Sequence, residues 1–437
     1  MRIAVIGVGY VGLVSAAGFA EFGVPVVAVD RDAARIEGLQ QGRMPLFEPG
    51  LADLVARGTR AGRLTFTTDL DKAVAEADIV FIAVGTPSRP GEDRADLTFV
   101  LDAARDIAKA LQGYTVIVTK STVPVGTGRV IEDLIRTARP EATFDVCSNP
   151  EFLREGSAIG DFLRPDRVIL GSASERATSV LRALYRPLYL IETPIVVTDR
   201  ETAELTKYAA NAFLAMKVAF INEMADVCEN VGADIQAVAH GLGLDRRIGP
   251  KFLHASPGFG GSCFPKDTRA LRQGAREAGA PSRLVEAVVT SNEVRKHGMA
   301  GRVVRALGGS ASGKTVALLG LTFKPNTDDV RESVSLDLVP ALATEGAALR
   351  LYDPEGMDAA KTVLPPLPSL TWCRDAYDAA TGADAVVILT EWNEFRALHL
   401  ARLKDAMRQP VLVDLRDIYL PAEARAAGFR YVSLGRP

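Results

Sequence analysis

Short apolar runs alternate with longer helix-compatible stretches over the first third of the chain. We predict strands at Ile3–Ile6, Val26–Val29, Leu64–Phe66, Ile79–Val84, Val116–Thr119 and Phe144–Cys147. A near-continuous apolar run such as Ile79–Val84 is typical of a strand that is buried on both faces. Strands that alternate with helices in this way indicate an α/β fold built on a doubly wound parallel sheet.

The middle of the chain has a different pattern, without candidate strands. A long helix is predicted to begin near Glu201, because the following stretch contains no proline, and to end at Gly232. Two further helices are expected over 268–276 and 281–305. This part of the chain is therefore predicted to be helical.

The strand–helix alternation returns at about Thr315. Four segments there, VALLGL, ALRLYDP, GADAVVILT and PVLVDLRD, are similar in order to IAVIGVG, VPVVAVD, EADIVFIAV and YTVIVTKST. Two separate α/β units on either side of a helical middle follow from this pattern. Internal duplication and the general likeness of buried parallel strands both explain the similarity.

Composition excludes several classes of protein. The 437 residues contain 51 Lys and Arg against 54 Asp and Glu, a net charge of −3 that argues against a general nucleic-acid binder. No run of about 20 apolar residues predicts a membrane span, and a strand beginning at Ile3 leaves no room for a signal peptide. The four cysteines are scattered, which favours a reducing, cytoplasmic compartment. With only four histidines beside them, no metal site is predicted.

A glycine-rich turn follows the first predicted strand. Gly7, Gly9 and Gly12 form a G-x-G-x-x-G pattern, and Asp30 ends the next strand. Such glycines allow backbone to approach a pyrophosphate at a helix N-terminus, and the carboxylate accepts hydrogen bonds from a ribose. We predict NAD rather than NADP, although Arg31 and Arg35 lie nearby; a tight turn without a ligand is the alternative.

A second phosphate-binding pattern is rejected on its context. Residues 308–315 formally match G-x-x-x-x-G-K-[ST]. A P-loop needs a strand before it and a helix after it, whereas here a helical stretch precedes and a strand follows. We interpret the segment as a linker.

Two polar segments follow the fifth and sixth predicted strands, where open α/β sheets face their ligands. Ser121 and Thr122 either bind substrate or water, or cap a helix. Either Glu151 or Glu155 serves as a general base or positions a water, or both belong to a surface loop.

The stretch from Gly258 to Asp267 is the most informative. Three glycines lead to Cys263, which Phe-Pro-Lys-Asp follows, and helix-compatible sequence begins at about Lys266. A helix N-terminus and a lysine favour a thiolate, so Cys263 is a candidate covalent nucleophile. The other cysteines, Cys147, Cys228 and Cys373, are expected to be packing residues.

Cations also lie at strand ends of the second α/β unit. Phe323 and Lys324 follow its first strand, with Arg331 close in sequence, and Arg416 follows its fourth. Such groups suit a nucleotide diphosphate or form a solvated surface.

The chain contains, in this order, the segments GVGYVGL, VGTP, STVPVGT, NPEFLREGSAI, AELTKYAANAFLA, RIGPKFL, GFGGSCFPKD, LTFKPNTDDVRES and DLRDIY. Taken together, they resemble the UDP-glucose 6-dehydrogenase family and its GDP-mannose dehydrogenase relatives. The resemblance implies two Rossmann-like domains at 1–198 and 309–437, joined by a long central helix within a helical dimerisation domain at 199–308. It also implies a homodimer that oxidises UDP-glucose to UDP-glucuronate with two NAD.

The resemblance further implies roles for individual residues. Cys263 would form a thiohemiacetal and then a thioester, with Lys207 and Asn211 stabilising the oxyanion and with Asp267, Thr122 and Glu151 serving hydrolysis. Implied NAD-binding residues are Gly7, Gly9, Tyr10, Val11, Gly12, Asp30, Arg35, Gly85, Thr86, Thr122, Glu155, Lys266 and Arg331. Implied substrate-binding residues are Glu151, Phe152, Leu153, Glu155, Lys207, Asn211, Arg247, Phe252, Leu253, Gly260, Phe323, Lys324 and Arg416.

Two alternatives remain at this point. GDP-mannose or another nucleotide sugar is the alternative substrate. A non-catalytic nucleotide-sugar-binding protein of the same fold is the alternative class, and it would be expected to lack Cys263, Lys207 or Asp267.

Overall fold

The computed structural model describes residues 1–89 and 91–436 and groups the chain into two compact units. The first comprises Met1–Ala210 and Ala270–Pro281, and the second comprises Asn211–Arg269 and Ser282–Pro437. The three-way division of the chain at residues 198 and 308 stays a prediction.

In the described part of the first unit, strands form one eight-stranded sheet in the order β3-β2-β1-β4-β5-β6-β7-β8. The strands are β1 Ile3–Ile6, β2 Val26–Val29, β3 Leu64–Thr67, β4 Ile79–Ile82, β5 Tyr114–Thr119, β6 Thr143–Ser148, β7 Val168–Gly171 and β8 Ile195–Thr198. The helices are α1 Tyr10–Glu21, α2 Ala33–Gln40, α3 Leu51–Arg60, α4 Leu70–Ala75, α5 Thr98–Ala110, α6 Thr127–Ala138, α7 Ala158–Leu163 and α8 Glu175–Leu184, with a 3-10 helix at Arg186–Ile191.

Burial on both faces explains the continuous apolar runs of this sheet. In β1, Ile3 and Val5 pack into one hydrophobic cluster, and Ala4 and Ile6 pack into a second. Because successive side chains of a strand point to opposite faces, the two clusters lie on the two sides of the sheet. The predicted parallel α/β architecture is confirmed.

One pairing departs from the parallel pattern. β6 and β7 are antiparallel and share the pair Ser148 and Gly171, whereas β7 and β8 are again parallel. Neither β7 nor β8 was predicted. β8 is a partly exposed edge strand after Pro194, which weakens its apolar signal, whereas β7 is fully buried and no feature of that strand explains why the pattern missed it.

The helical middle was predicted closely. Its helices are α9 Arg200–Val231, α10 Ile235–Leu244, α11 Phe264–Glu277 and α12 Arg283–Ala306. Gly232, in the left-handed region at φ 75°, follows α9 as expected of a C-terminal glycine. α11 begins four residues earlier than predicted, with Pro265 in its first turn, where the missing N–H costs nothing.

The described part of the second unit contains a six-stranded sheet in the order β11-β10-β9-β12-β13-β14. Its strands are β9 Thr315–Leu319, β10 Ala348–Tyr352, β11 Leu370–Trp372, β12 Ala385–Ile388, β13 Val411–Asp414 and β14 Arg430–Ser433. Its helices are α13 Ser335–Thr344, α14 Met357–Val363, α15 Ala376–Ala380, α16 Asn393–Arg396, α17 Leu400–Ala406 and α18 Pro421–Ala426. The edge strands β11 and β14 were not predicted.

The four similar segments occupy equivalent places in the two sheets. They contain β1 and β9, β2 and β10, β4 and β12, and β5 and β13. Residues 308–314 lie between α12 and β9, which begins at Thr315, so a helix rather than the strand that a P-loop requires precedes them. Among the described residues, no helix is long and apolar enough to cross a membrane.

Candidate active site

The glycine-rich turn lies between β1 and α1. A Cβ at Gly7 would lie 2.9 Å from the carbonyl oxygen of Ala83, and a Cβ at Gly12 would lie 1.8 Å from that of Gly7. A Cβ at Gly9 would meet no described atom within 4 Å. Gly7 and Gly12 therefore allow the turn to close on the sheet, and Gly9 leaves open space beside it. Within the described chain no side chain caps α1, which leaves its first N–H groups for a phosphate.

Asp30 is held directly against this turn. Its carboxylate accepts hydrogen bonds from the backbone N–H of Val8 at 2.9 Å and of Asp32 at 3.0 Å. It also pairs with the Arg35 guanidinium at 3.2 Å, while the Arg31 guanidinium lies over the Phe99 ring at 4.8 Å. The structure thus brings the turn, Asp30 and Arg35 together at the carboxyl ends of β1 and β2.

The segments after β4 and β5 are joined by a hydrogen bond. The hydroxyl of Thr86 donates to the carbonyl of Thr122 at 2.9 Å, and that of Ser121 donates to the carbonyl of Val84 at 2.6 Å. Gly126, which carries no side-chain cap, precedes α6. Helix capping by Ser121 or Thr122 is therefore wrong.

Tyr10, the first residue of α1, is fixed by a carboxylate that the sequence did not single out. Its hydroxyl donates to Glu48 at 2.6 Å, and Glu48 also accepts from the N–H groups of Gly156 and Ala158. Burial, followed by the hydrogen bond to Glu48, raises the pKa of Tyr10, with smaller contributions from the charges of Glu155 and Glu151. Both predicted carboxylates thus lie close to the dinucleotide turn.

Glu151 and Lys207 form a buried ion pair. The two side chains are 5% and 3% exposed, and Nζ of Lys207 lies 3.0 Å from Oε1 of Glu151. The backbone N–H of Leu153 donates to Oε2 of Glu151. The ring of Phe152 carries the Arg167 guanidinium at 3.5 Å and the Lys207 ammonium at 5.2 Å. A carboxylate and an ammonium in this contact are suited to proton transfer and oxyanion stabilisation.

The segment after Thr122 is tied to α9 by Glu204, which the sequence analysis missed. The carboxylate of Glu204 accepts from the N–H groups of Gly126 at 2.6 Å and Gly128 at 2.8 Å. Burial raises the pKa of Glu204 to about 7, although both backbone donors lower it. Neither the spacing nor the type of this residue distinguishes it from other helical glutamates.

In the second unit, Cys263 lies immediately before α11. Cys263 is partly exposed, whereas Cys147, Cys228 and Cys373 are buried. The backbone N–H of Asp267 donates to the carbonyl of Cys263 at 2.8 Å, which closes the first helical turn over the cysteine. The predicted position of the thiol at a helix N-terminus is confirmed.

Asp267 is buried and fully engaged on both oxygens. Asn211 Nδ2 donates to Oδ2 at 2.6 Å, and Lys266 Nζ donates to Oδ1 at 2.7 Å. Lys207 and Asn211 are four residues apart on α9. The structure therefore places Asn211, Lys266 and Asp267 in one cluster beside the first turn of α11, from Cys263 to Asp267, which we call the cysteine turn.

The glycines before Cys263 are required by packing. A Cβ at Gly260 would lie 2.4 Å from the carbonyl oxygen of Glu332, and one at Gly261 would lie 2.6 Å from the Phe323 ring. The side chain of Asn292 accepts from the N–H of Phe259 and donates to its carbonyl. Asn292 was also missed, since its contact with residue 259 spans 33 positions.

Of the other substrate candidates in this unit, Phe252 adopts the left-handed region at φ 64° and its ring lies 6.0 Å from that of Phe264. The side chain of Leu253 is buried in a cluster with Ile221. Arg247 is 89% exposed and pairs with Asp245.

The cations after β9 and β13 differ in their surroundings. Arg416 is buried, and its guanidinium donates to the carbonyls of Leu389 at 2.6 Å and Phe323 at 2.9 Å and pairs with Glu391 at 3.2 Å. Lys324 lies over the Phe323 ring at 5.1 Å. Arg331 is 63% exposed and pairs with Asp329. Arg416 therefore holds the loops of its own sheet together as well as lying at a strand end.

A Rossmann turn with an acidic residue on the second strand, together with a cysteine at a helix N-terminus, defines a nucleotide-dependent dehydrogenase with a candidate nucleophile. The chain belongs to the UDP-glucose/GDP-mannose dehydrogenase family. Residues 1–189 match its NAD binding domain, residues 201–294 its central domain and residues 317–421 its UDP binding domain. NAD is accordingly the cofactor.

Relatives extend over the whole chain. UDP-glucose 6-dehydrogenase of Rhizobium meliloti (strain 1021) is 57% identical over 100% of both chains. UDP-glucose 6-dehydrogenase TuaD of Bacillus subtilis (strain 168) is 48% identical over 100% of this chain and 93% of its own. The structure of a UDP-glucose dehydrogenase from Pyrobaculum islandicum has a TM-score of 0.91 at 38% identity and covers 100% of this chain and 98% of its own.

Proposed function

We propose that this protein catalyses the NAD-dependent oxidation of UDP-glucose to UDP-glucuronate. Relatives named UDP-glucose 6-dehydrogenase are 46–57% identical over the full chain. The observation that carries the proposal is the cysteine turn, where a partly exposed thiol lies beside a buried Asp267 that is bonded to Asn211 and Lys266.

The proposed chemistry has two oxidations and one hydrolysis. The C6 alcohol loses a hydride and a proton to give an aldehyde, and the thiolate of Cys263 adds to its carbonyl carbon as a thiohemiacetal. Loss of a second hydride from C6 and of the hydroxyl proton converts the thiohemiacetal to a thioester. Water then cleaves the C–S bond, which releases the carboxylate and returns the thiolate. NAD, when bound, would supply the hydride acceptor for both oxidations, so two NADH would form per acid.

The residues of the first unit that would hold NAD fit its parts. Open space beside Gly9 and the uncapped start of α1 suit the pyrophosphate, and Asp30 suits the ribose. Tyr10 and Val11 begin α1 directly after this turn, and we assign them to the same cofactor site together with Gly85, Thr86 and Glu155. Lys266 and Arg331 of the second unit are assigned to it on the family resemblance alone.

The proton and oxyanion work is assigned to the buried polar groups. Lys207 and Asn211 would hold the C6 oxygen as charge develops on it. Asp267 and Glu151 would activate the hydrolytic water, and Thr122 would bind it. Phe152, Leu153, Phe252, Leu253, Gly260 and Phe323 would line the sugar nucleotide, with Lys324 and Arg416 toward its diphosphate.

Alanine at Cys263 tests the covalent step. Cys263→Ala should bind NAD and UDP-glucose but lose acid production on the order of 10³-fold or more, whereas Cys373→Ala, a buried cysteine of the second sheet, should keep it. NADH formation is measured separately with UDP-glucose, GDP-mannose and UDP-N-acetylmannosamine. Near-native acid production by Cys263→Ala would refute the thioester, and a preference for GDP-mannose would reassign the substrate.

We further propose a homodimer formed through the helical middle, in the cytoplasm. Phe213, Phe220 and Val227 are spaced seven residues apart on α9 and are 59%, 48% and 48% exposed. A heptad stripe of exposed apolar side chains suits a helix of a second copy, and Arg247, 89% exposed, would reach the partner's substrate. The free thiols suit a reducing compartment.

Light scattering after gel filtration measures the assembly. Phe213→Glu/Phe220→Glu should halve the particle mass, whereas Leu284→Glu, an exposed leucine of α12, should not. A native monomer, or a double variant that keeps the native mass, would refute this interface.

A further inference from the structure

Lys120 is a buried lysine that has no role in the proposed mechanism. It directly follows β5 and is 4% exposed. Its ammonium donates to Oδ1 of Asn149 at 2.9 Å and to the carbonyl of Asn149 at 3.4 Å. It also donates to the Tyr185 hydroxyl at 3.4 Å. Three of its bonds thus end on two residues.

Asn149 is fixed from every side. Besides Lys120, it accepts at Oδ1 from the Tyr185 hydroxyl at 2.5 Å, and its Nδ2 donates to the carbonyl of Ile169 at 2.9 Å. Asn149 directly follows β6, and only Pro150 separates it from Glu151. Because proline fixes its own φ and restricts the residue before it, fixing Asn149 narrows the directions in which the chain can continue to Glu151.

The electrostatics join Lys120 to the same carboxylate. Burial lowers the pKa of Lys120 to about 8, the charge of Glu151 raises it, and the charge of Lys207 lowers it further. The facing groups are therefore Tyr185, Glu151 and Lys207. The three hydrogen bonds of the ammonium end on neutral oxygens, and a lysine in such surroundings is costly to bury. Its charge is of use where it offsets that of Glu151.

We propose that Lys120 is a positioning residue for thioester hydrolysis. Through Asn149 it fixes the Glu151 carboxylate against Lys207, and its ammonium adds a second positive charge near that carboxylate. The inference rests on the proposed function, since it assumes that Glu151 acts on the hydrolytic water. Lys120 itself need not contact the substrate.

Lys120→Met tests the inference by keeping the length of the side chain and removing its donors. With saturating UDP-glucose and NAD, kcat should fall on the order of 10–100-fold, as expected for a displaced catalytic group, while both KM values stay within about twofold. Intact-protein mass should show a glucuronyl thioester accumulating on Cys263, as in Glu151→Gln. A structural defect alone would not produce this adduct.

Two control variants separate the loss of a contact with Asn149 from the loss of a lysine or of a tyrosine hydroxyl elsewhere. Lys109→Met removes an exposed lysine that pairs with Asp106, and it should turn over without an adduct. Tyr185→Phe removes one bond to Asn149 and should give a smaller adduct. Its match, Tyr114→Phe, removes a hydroxyl that donates to Asp145 at the other end of β5 and should give none.

The outcomes separate the inference from the proposed function. Native-like turnover of Lys120→Met, or reduced turnover without an adduct, would overturn the inference if Glu151→Gln accumulates the thioester. Absence of the adduct in Glu151→Gln would instead refute the proposed role of Glu151. If Lys120→Met fails to fold, Tyr185→Phe decides: an adduct supports the inference, and none overturns it.

Discussion

Replacing Asp30 by alanine should change which dinucleotide the protein binds. The carboxylate lies at the end of β2, where a dinucleotide places its adenosine ribose, and its partner Arg35 is 3.2 Å away. Alanine removes the carboxylate that we propose as the acceptor of the ribose hydroxyls. It also releases a guanidinium that is 38% exposed and therefore able to meet a 2′-phosphate.

The size of the change follows from these two contacts. Hydrogen bonds to a charged group contribute about 1.5–3 kcal/mol each, so losing one or two should weaken NAD binding by roughly 10- to 10⁴-fold at about 1.4 kcal/mol per tenfold. For NADP, a phosphate about 4 Å from the carboxylate is repelled by about 4 kcal/mol per unit charge at an effective dielectric constant of about 20. Arg35 offsets part of that repulsion in the native protein. NAD affinity should fall while NADP affinity rises.

Titration calorimetry with NAD and NADP measures both effects. Asp30→Ala/Arg35→Ala should lose the gain in NADP affinity, and Asp32→Ala, whose carboxylate caps α2, should keep the native preference. Equal Kd values for NAD and NADP in the native protein would refute the role of Asp30. An unchanged preference in Asp30→Ala would do the same, and an NADP gain that survives loss of Arg35 would refute the second half of the reasoning.

Three further changes have outcomes set by the structure. Gly12→Ala should abolish NAD binding and lower the melting temperature by circular dichroism, because its Cβ would overlap the Gly7 carbonyl, whereas Gly9→Ala should block NAD without a loss of stability; equal melting losses would contradict this contrast. Arg416→Ala should weaken UDP-glucose binding and also destabilise the second unit by about 3–5 kcal/mol, as measured by unfolding followed by tryptophan fluorescence. Unchanged stability would show that the internal hydrogen bonds of Arg416 are dispensable. Burial raises the pKa of Asp417 to about 7, above its unfolded value, so its stabilising contribution is present below about pH 4 and is lost as the pH rises through 7. Asp417→Asn should therefore be more stable than the native protein at pH 8 but not at pH 4. Equal stability differences at both pH values would refute the shift.

The sheets were predictable because burial on both faces leaves a strong local signal. β4 and β12 are entirely buried, and their apolar runs are evident from the residues alone. β8, β11 and β14 lie at sheet edges, where one side of the strand has no neighbour and partly exposed positions interrupt the run. Their pairing depends on the position of the adjacent strand rather than on their own composition.

The site divides in the same way. Gly9, Asp30 and Cys263 are marked by spacing within a short motif, so the sequence identified them before the structure did. Glu48 and Asn292 act on residues that lie 38 and 33 positions away, and no local pattern distinguishes them. Residues that bind a neighbouring loop through one carboxylate or amide become visible only when the fold brings that loop to them.

The two α/β units share the order of six strands but differ in the turns that follow β1 and β9. Gly320 follows β9 at φ 93°, as Gly7 follows β1 at φ 98°, and Asp353 follows β10 as Asp30 follows β2. However, the second residue after Gly320 is Thr322, whereas the second residue after Gly7 is Gly9. Its hydroxyl donates to the Asp353 carboxylate at 3.0 Å and accepts from Trp392 Nε1 at 3.2 Å.

That substitution closes the second turn from within. Asp353 is 1% exposed and accepts from the backbone N–H groups of Leu321 and Thr322, so its carboxylate is enclosed by its own unit. Asp30, by contrast, lies beside a turn with open space at Gly9. A pyrophosphate needs the backbone to be bare where it approaches, and only the first turn meets that condition. The same strand order thus supports an NAD binding domain in one half of the chain and a UDP binding domain in the other.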